Sequence, residues 1–100
     1  MPDCTTQQAA YNLAVATEAV RYAQMLVSNA EAQLDQHLYY EAQSARYMAY
    51  YQLQQCQMGG MGPPMMMSAS DSHEKLLRAN VELLKLIYRD RLRACNELAG

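Results

Sequence analysis

The sequence predicts an all-α chain: a long helix of ~50 residues and a shorter helix folded back on it as an antiparallel hairpin, associating into a helical bundle or assembly. Three observations point there. The hydrophobic fraction is 51% without Trp or Phe, and good helix formers (Ala, Leu, Met, Gln, Glu, Arg) fill the chain from Thr6 to Gln57. Gly and Pro are confined to Pro2, the Gly59–Pro64 stretch and Gly100, leaving two helix-permissive segments and one break. Apolar residues recur at alternating steps of four and three, the helical period. The chain reads as a single domain over 1–100, with a helix over 5–57, a Met/Gly/Pro connection over 58–70 and a second helix over 71–98.

Thr5 is the expected cap of the first helix, with Gln8 in the capping-box position. Nothing then forces a stop before Gly59-Gly60, which gives ~75–80 Å of helix at ~1.5 Å per residue. Ser28-Asn29-Ala30-Glu31 is a second capping-box pattern. The alternative is therefore a break near Ser28 and a three-helix bundle, but the hydrophobic register runs through this point undisturbed. That register, Ala9, Leu13, Ala16, Val20, Ala23, Val27, Ala30 and Leu34, is a heptad seam of the coiled-coil kind. An alanine at every seventh residue admits a neighbouring helix near the low end of the ~8–10 Å interaxial range. After Leu34 the pattern takes a four-four step through Leu38 and Ala42. It continues through Ala45, Ala49, Leu53 and Cys56.

The other side of this helix is aromatic. At ~100° per residue, Tyr11, Tyr22, Tyr40, Tyr47 and Tyr51 fall within ~40° of one another, opposite the Val20 stripe. Tyr39 and Tyr50 border that face. A helix that is apolar or aromatic on two faces has neighbours on two sides, and tyrosine supplies large contact area with a hydroxyl that tolerates water. The chain's own second helix and another molecule are rival occupants; an aromatic ligand is a third.

Asp71 and Glu74 mark the start of the second helix as cap and capping-box partner. Leu77, Val81, Leu84, Tyr88, Cys95 and Leu98 form its stripe, flanked by Leu76, Leu83, Ile87 and Leu92. Leu86 projects from the polar side. Arg91 falls inside the stripe with Asn80 at its border, so Arg91 either snorkels or fixes the helix register. A second helix of ~28 residues covers only part of the first. In a simple hairpin that part is the half nearest the connection, which leaves Ala9–Leu34 in water. Burying each Leu or Val is worth roughly 1.5–3 kcal/mol, so the uncovered seam predicts homo-oligomerisation, closed or as an open filament or lattice.

The connection holds five of the eight methionines. Gly59, Gly60 and Gly62 free its backbone and Pro63-Pro64 stop helix formation. Its plain reading is a linker whose methionines fill irregular apolar gaps. A hydrophobic contact site is the second reading. A Cu(I) site is the third: Cys56, Met58, Met61 and Met65 offer soft sulfur ligands, with Met66, Met67 and His73 nearby in sequence.

Other chemistry finds little footing. His37 and Glu41 share a helix face, as do Glu31 and Asp35, but the Glu-x-x-His repeats of a di-iron bundle are missing. Such pairs read as solvated i,i+4 partners. Ser70, Asp71 and His73 lie where a helix cap belongs, and Gly59-Gly60-Met61-Gly62 lacks the Gly-Lys-Ser/Thr ending of a phosphate loop. No catalytic residues, cofactor or firm metal site are expected. The net charge of −2, with signs interspersed, gives no basic footprint for nucleic acid; Arg89, Arg91 and Arg93 read as cations suited to a helix C-terminus. No apolar run reaches membrane-spanning length, and the N-terminus does not resemble a secretory signal. Three widely spaced cysteines, Cys4, Cys56 and Cys95, suit free thiols and a reducing, cytoplasmic setting.

These readings converge on a non-enzymatic self-assembling protein. It would use the Ala/Leu/Val seam and the tyrosine face of the first helix. The alternatives are a helical adaptor for a different protein partner and a Cu(I)-binding protein.

Overall fold

A continuous helix from Thr5 and a second from Asp71 follow from helix-forming composition with no internal breaker. The computed structural model, which describes residues 3–59 and 71–100, contains both: α1, Thr5–Gln57, and α2, Asp71–Ala99. They pack against each other as a rod 91 Å long and 17 Å across. The described residues contain no strand. α1 passes through Ser28 without a break, which removes the three-helix alternative.

The helix ends differ from the expected capping boxes. Thr5 is already helical, and Asp3 accepts hydrogen bonds from its backbone N–H (3.0 Å) and its hydroxyl. These bonds hold the Asp3 carboxyl below its ordinary pKa. Gln8 donates along the helix to Asn12 at 3.0 Å instead of back to the first turn. At the far end, Gly59 adopts φ +78 and its N–H bonds the Cys56 carbonyl at 3.1 Å. This is the left-handed position at which a residue bearing Cβ is strained. In α2, Asp71 is helical and Glu74 pairs with Arg78 at 3.2 Å, so Asp71 and Glu74 do not form the expected box. Both carboxylates still face the positive end of the helix dipole.

The register of α2 on α1 is the main correction. The His37 and His73 rings meet at 4.8 Å, and Thr17 Oγ1 lies 3.6 Å from Cys95 Sγ. These two contacts set α2 antiparallel over roughly residues 13–40 of α1. α2 therefore covers the half remote from the connection, and the Ala9–Leu34 seam packs inside the hairpin. Val20, Ala23, Ala30 and Val81 are buried, Ala23 to 1% exposure. Leu13, Ala16, Val27 and Leu34 are half-buried, while Ala9 is exposed beyond the end of α2.

Two physical reasons account for this offset. Apart from Leu53, the branched apolar side chains of α1 lie at or before Leu38, whereas positions 43–57 are rich in Gln and Tyr, so α2 buries more apolar surface at the remote end. The thirteen residues between Gln57 and Asp71 also have a reach of ~45 Å, against an offset of ~25 Å.

Past Leu34 the seam keeps its three-four spacing through His37 and Glu41, with Leu38 beside them, all half-buried. The expected four-four continuation fails: Ala42, Ala45, Ala49, Leu53 and Cys56 are exposed, because α2 starts near this level and lines no seam beyond it. On α2, Leu77, Leu84, Tyr88, Arg91 and Cys95 are half-buried around Val81. Leu98, expected in that stripe, is 55% exposed, and Leu76, Leu83 and Leu86 also face outward.

Candidate interaction surface

The tyrosines predicted to share a face do so, and α2 does not cover them. The seam points at α2, and a residue such as Tyr22 or Tyr40 lies ~130° or more around the helix from it. Tyr11, Tyr22, Tyr40, Tyr47 and Tyr51 are between 52 and 69% exposed. Tyr39 and Tyr50 are exposed too, and the Tyr39 and Tyr40 rings touch at 5.7 Å. The same side carries residues that were not singled out by their spacing: Val15 and Met25, 50 and 52% exposed. With Tyr11 and Tyr22 they line a shallow open groove whose polar members are Glu18 and Arg21. The steps from Tyr11 to Val15, Glu18, Tyr22 and Met25 alternate four and three, so this stripe was visible as a second heptad pattern.

A second exposed region is the projecting end of α1 beyond α2. Between Ala42 and Gln57 the only charged residue is Arg46. Its guanidinium lies 5.8 Å from the Tyr47 ring centroid, and Gln54 donates to the Tyr50 hydroxyl at 2.9 Å. Leu53 and Cys56 are exposed in the same stretch.

The remaining candidates gather little chemistry. Glu41 Oε1 lies 3.1 Å from His37 Nε2 but does not form a hydrogen bond with it, and this buried nitrogen has no hydrogen-bond partner among the described residues. His73 adds its ring edge to His37. No group of three His, Cys, Asp or Glu side chains among the described residues is placed to hold a metal. Of the sulfur ligands, Cys56 and Met58 are exposed, while Met61 and Met65 lie outside the described residues, as do Ser70 and most of the methionine segment. In the basic cluster, Arg93 pairs with Asp90 at 2.7 Å and Arg91 is half-buried. Cys56 and Cys95 are free thiols. No described helix is long and apolar enough to cross a membrane.

No family model matches the chain, and comparison with curated proteins and with solved structures likewise gives no match.

Proposed function

We propose that this chain is a non-enzymatic structural protein, a helical hairpin that associates with copies of itself through the tyrosine face of α1. The carrying observation is that five tyrosines, with Val15 and Met25, line one side of α1 while α2 packs on the Ala/Leu/Val seam. Tyr11, Val15, Tyr22 and Met25 at one end of this face and Tyr40, Tyr47 and Tyr51 at the other are two exposed groups larger than the scattered apolar residues of an ordinary surface. With α2 occupying Leu13–Leu34, the seam drops out of the assembly contact and the tyrosine face takes its place. Cys56 and Cys95 as free thiols suit a reducing compartment such as the cytoplasm. Light scattering on a reduced sample over a concentration series tests the reading. Mass above one chain supports it, and a monomer at high micromolar concentration overturns it.

The projecting end of α1 favours a second reading. A nearly uncharged helix end with Tyr47, Tyr50, Tyr51 and Leu53 exposed also suits a helical adaptor that lays this segment against a helix of a different protein. In that case the isolated chain is monomeric and the projecting end becomes protected only in the complex.

A further inference from the structure

We infer that the occupant of the tyrosine face is a second copy of α1 running in the opposite direction, centred on Glu31; this rests on the self-association reading above. The spacing of the tyrosines is palindromic. Tyr11 and Tyr22 are 11 residues apart, Tyr22 and Tyr40 are 18, and Tyr40 and Tyr51 are again 11. A reversed copy centred on Glu31 therefore brings Tyr11 level with Tyr51 of the second copy and Tyr22 level with its Tyr40. Val15 meets Tyr47 in the same register. All of these residues are exposed, so the contact requires no rearrangement of α2.

Charge selects the direction. Glu18 lines the groove beside Tyr22, and Arg46 lies to the same side of the tyrosine face, ~80° further round the helix at ~100° per residue. Neither has an ion-pair partner among the described residues. In the reversed register Glu18 and the second copy's Arg46 lie within about 3 Å along the axis, two residues from level, and antiparallel helices set like flanks together. A parallel pair in register would instead leave Glu18 and the second copy's Arg46 ~42 Å apart along the axis, too far to pair. At the centre, Asn29 lies level with the second copy's Gln33, an amide pairing of the kind that fixes register between helices.

The contact is also large enough. A tyrosine buries ~150–250 Å² when fully covered, so five half-exposed tyrosines from each copy supply on the order of 1,000 Å², the lower bound for a specific interface. Val15 and Met25 add to it. Four helices then lie in one layer, with α1 and its copy inside and the two α2 helices outside.

Spin-label distances distinguish the registers. In a Cys4→Ser, Cys56→Ser, Cys95→Ser chain, single labels are placed at Ser28→Cys and Ser44→Cys, both exposed positions. The antiparallel register separates the two Ser28 labels by ~9 Å along the axis and the two Ser44 labels by ~39 Å. Short distances at both positions mean a parallel pair, and long distances at both mean another contact. Either overturns the inferred register while leaving self-association standing. A monomeric mass with no intermolecular distance overturns the self-association reading itself. A charge exchange, made with the native cysteines in place, gives an independent test. Glu18→Arg should weaken association at least tenfold, and adding Arg46→Glu should restore it. Failure of the double variant to recover rejects the pairing even if the cysteine-free chain folds poorly.

Discussion

His37 on α1 meets His73 on α2 edge to face, 4.8 Å between ring centroids, and this contact places the start of α2 beside the middle of α1. From there the two helices run antiparallel to the Thr17–Cys95 contact. Everything on α1 beyond Glu41 projects past the partner helix.

The tightest point of the hairpin is Ala23, 1% exposed. Ala23→Leu adds volume where α2 leaves none. It should destabilise the fold by about 1–3 kcal/mol, the usual cost of overpacking. Urea unfolding followed by circular dichroism measures this, and an unchanged midpoint would contradict the close approach of α2.

His37 occupies a seam position, and its buried Nε2 has no hydrogen-bond partner among the described residues. Leucine at this site removes the unsatisfied nitrogen and adds apolar contact, at the loss of the His73 ring interaction. His37→Leu should leave stability unchanged or raise it by up to about 1 kcal/mol. A loss larger than that, by the same unfolding measurement, would show that the imidazole makes a hydrogen bond not seen here.

Asp3 accepts both Thr5 donors and its pKa is lowered from 3.8. The sign follows: this support for the first turn is present above pH 3.8 and lost as pH falls through the lower folded value. Amide resonances of Thr5–Gln8 should therefore show fraying in acid. Asp3→Asn should remove the dependence on pH, and a first turn that stays intact in acid would mean that the Asp3–Thr5 bonds do not hold it.

Tyr22 and Tyr40 touch solvent, not α2. The double variant Tyr22→Ala, Tyr40→Ala should change hairpin stability by no more than about 0.5 kcal/mol each, as for surface sites. Its mass should nevertheless fall toward one chain in light scattering. If mass is retained and stability is lost, the tyrosines serve the hairpin instead.

Hydrogen exchange should divide α1 in two. Amides around Val20–Ala30 lie beneath α2 and should open only with global unfolding. Amides between Ala45 and Gln57 rest on helix propensity with no α2 beside them and should exchange orders of magnitude faster. Equal protection along α1 would mean that the projecting end is covered.

By itself the sequence determined the two helices, their ends to within a residue, the seam from Leu13 to Leu34 and the shared face of the tyrosines. These are local properties: backbone propensity, the missing breakers between Thr5 and Gln57 and a repeat that any helix projects onto fixed faces. Which side of α1 each face meets, and how far along it α2 lies, were decided only in the tertiary structure. A hairpin joined by a short turn pairs its helices next to that turn, and the sequence alone suggested that default. The actual offset is a comparison between two distant pairings. Covering Val20, Ala23 and Val27 outweighs covering Gln52 and Gln55, and a connection of thirteen residues permits it. The same offset buries the seam within the chain and leaves the tyrosines facing outward.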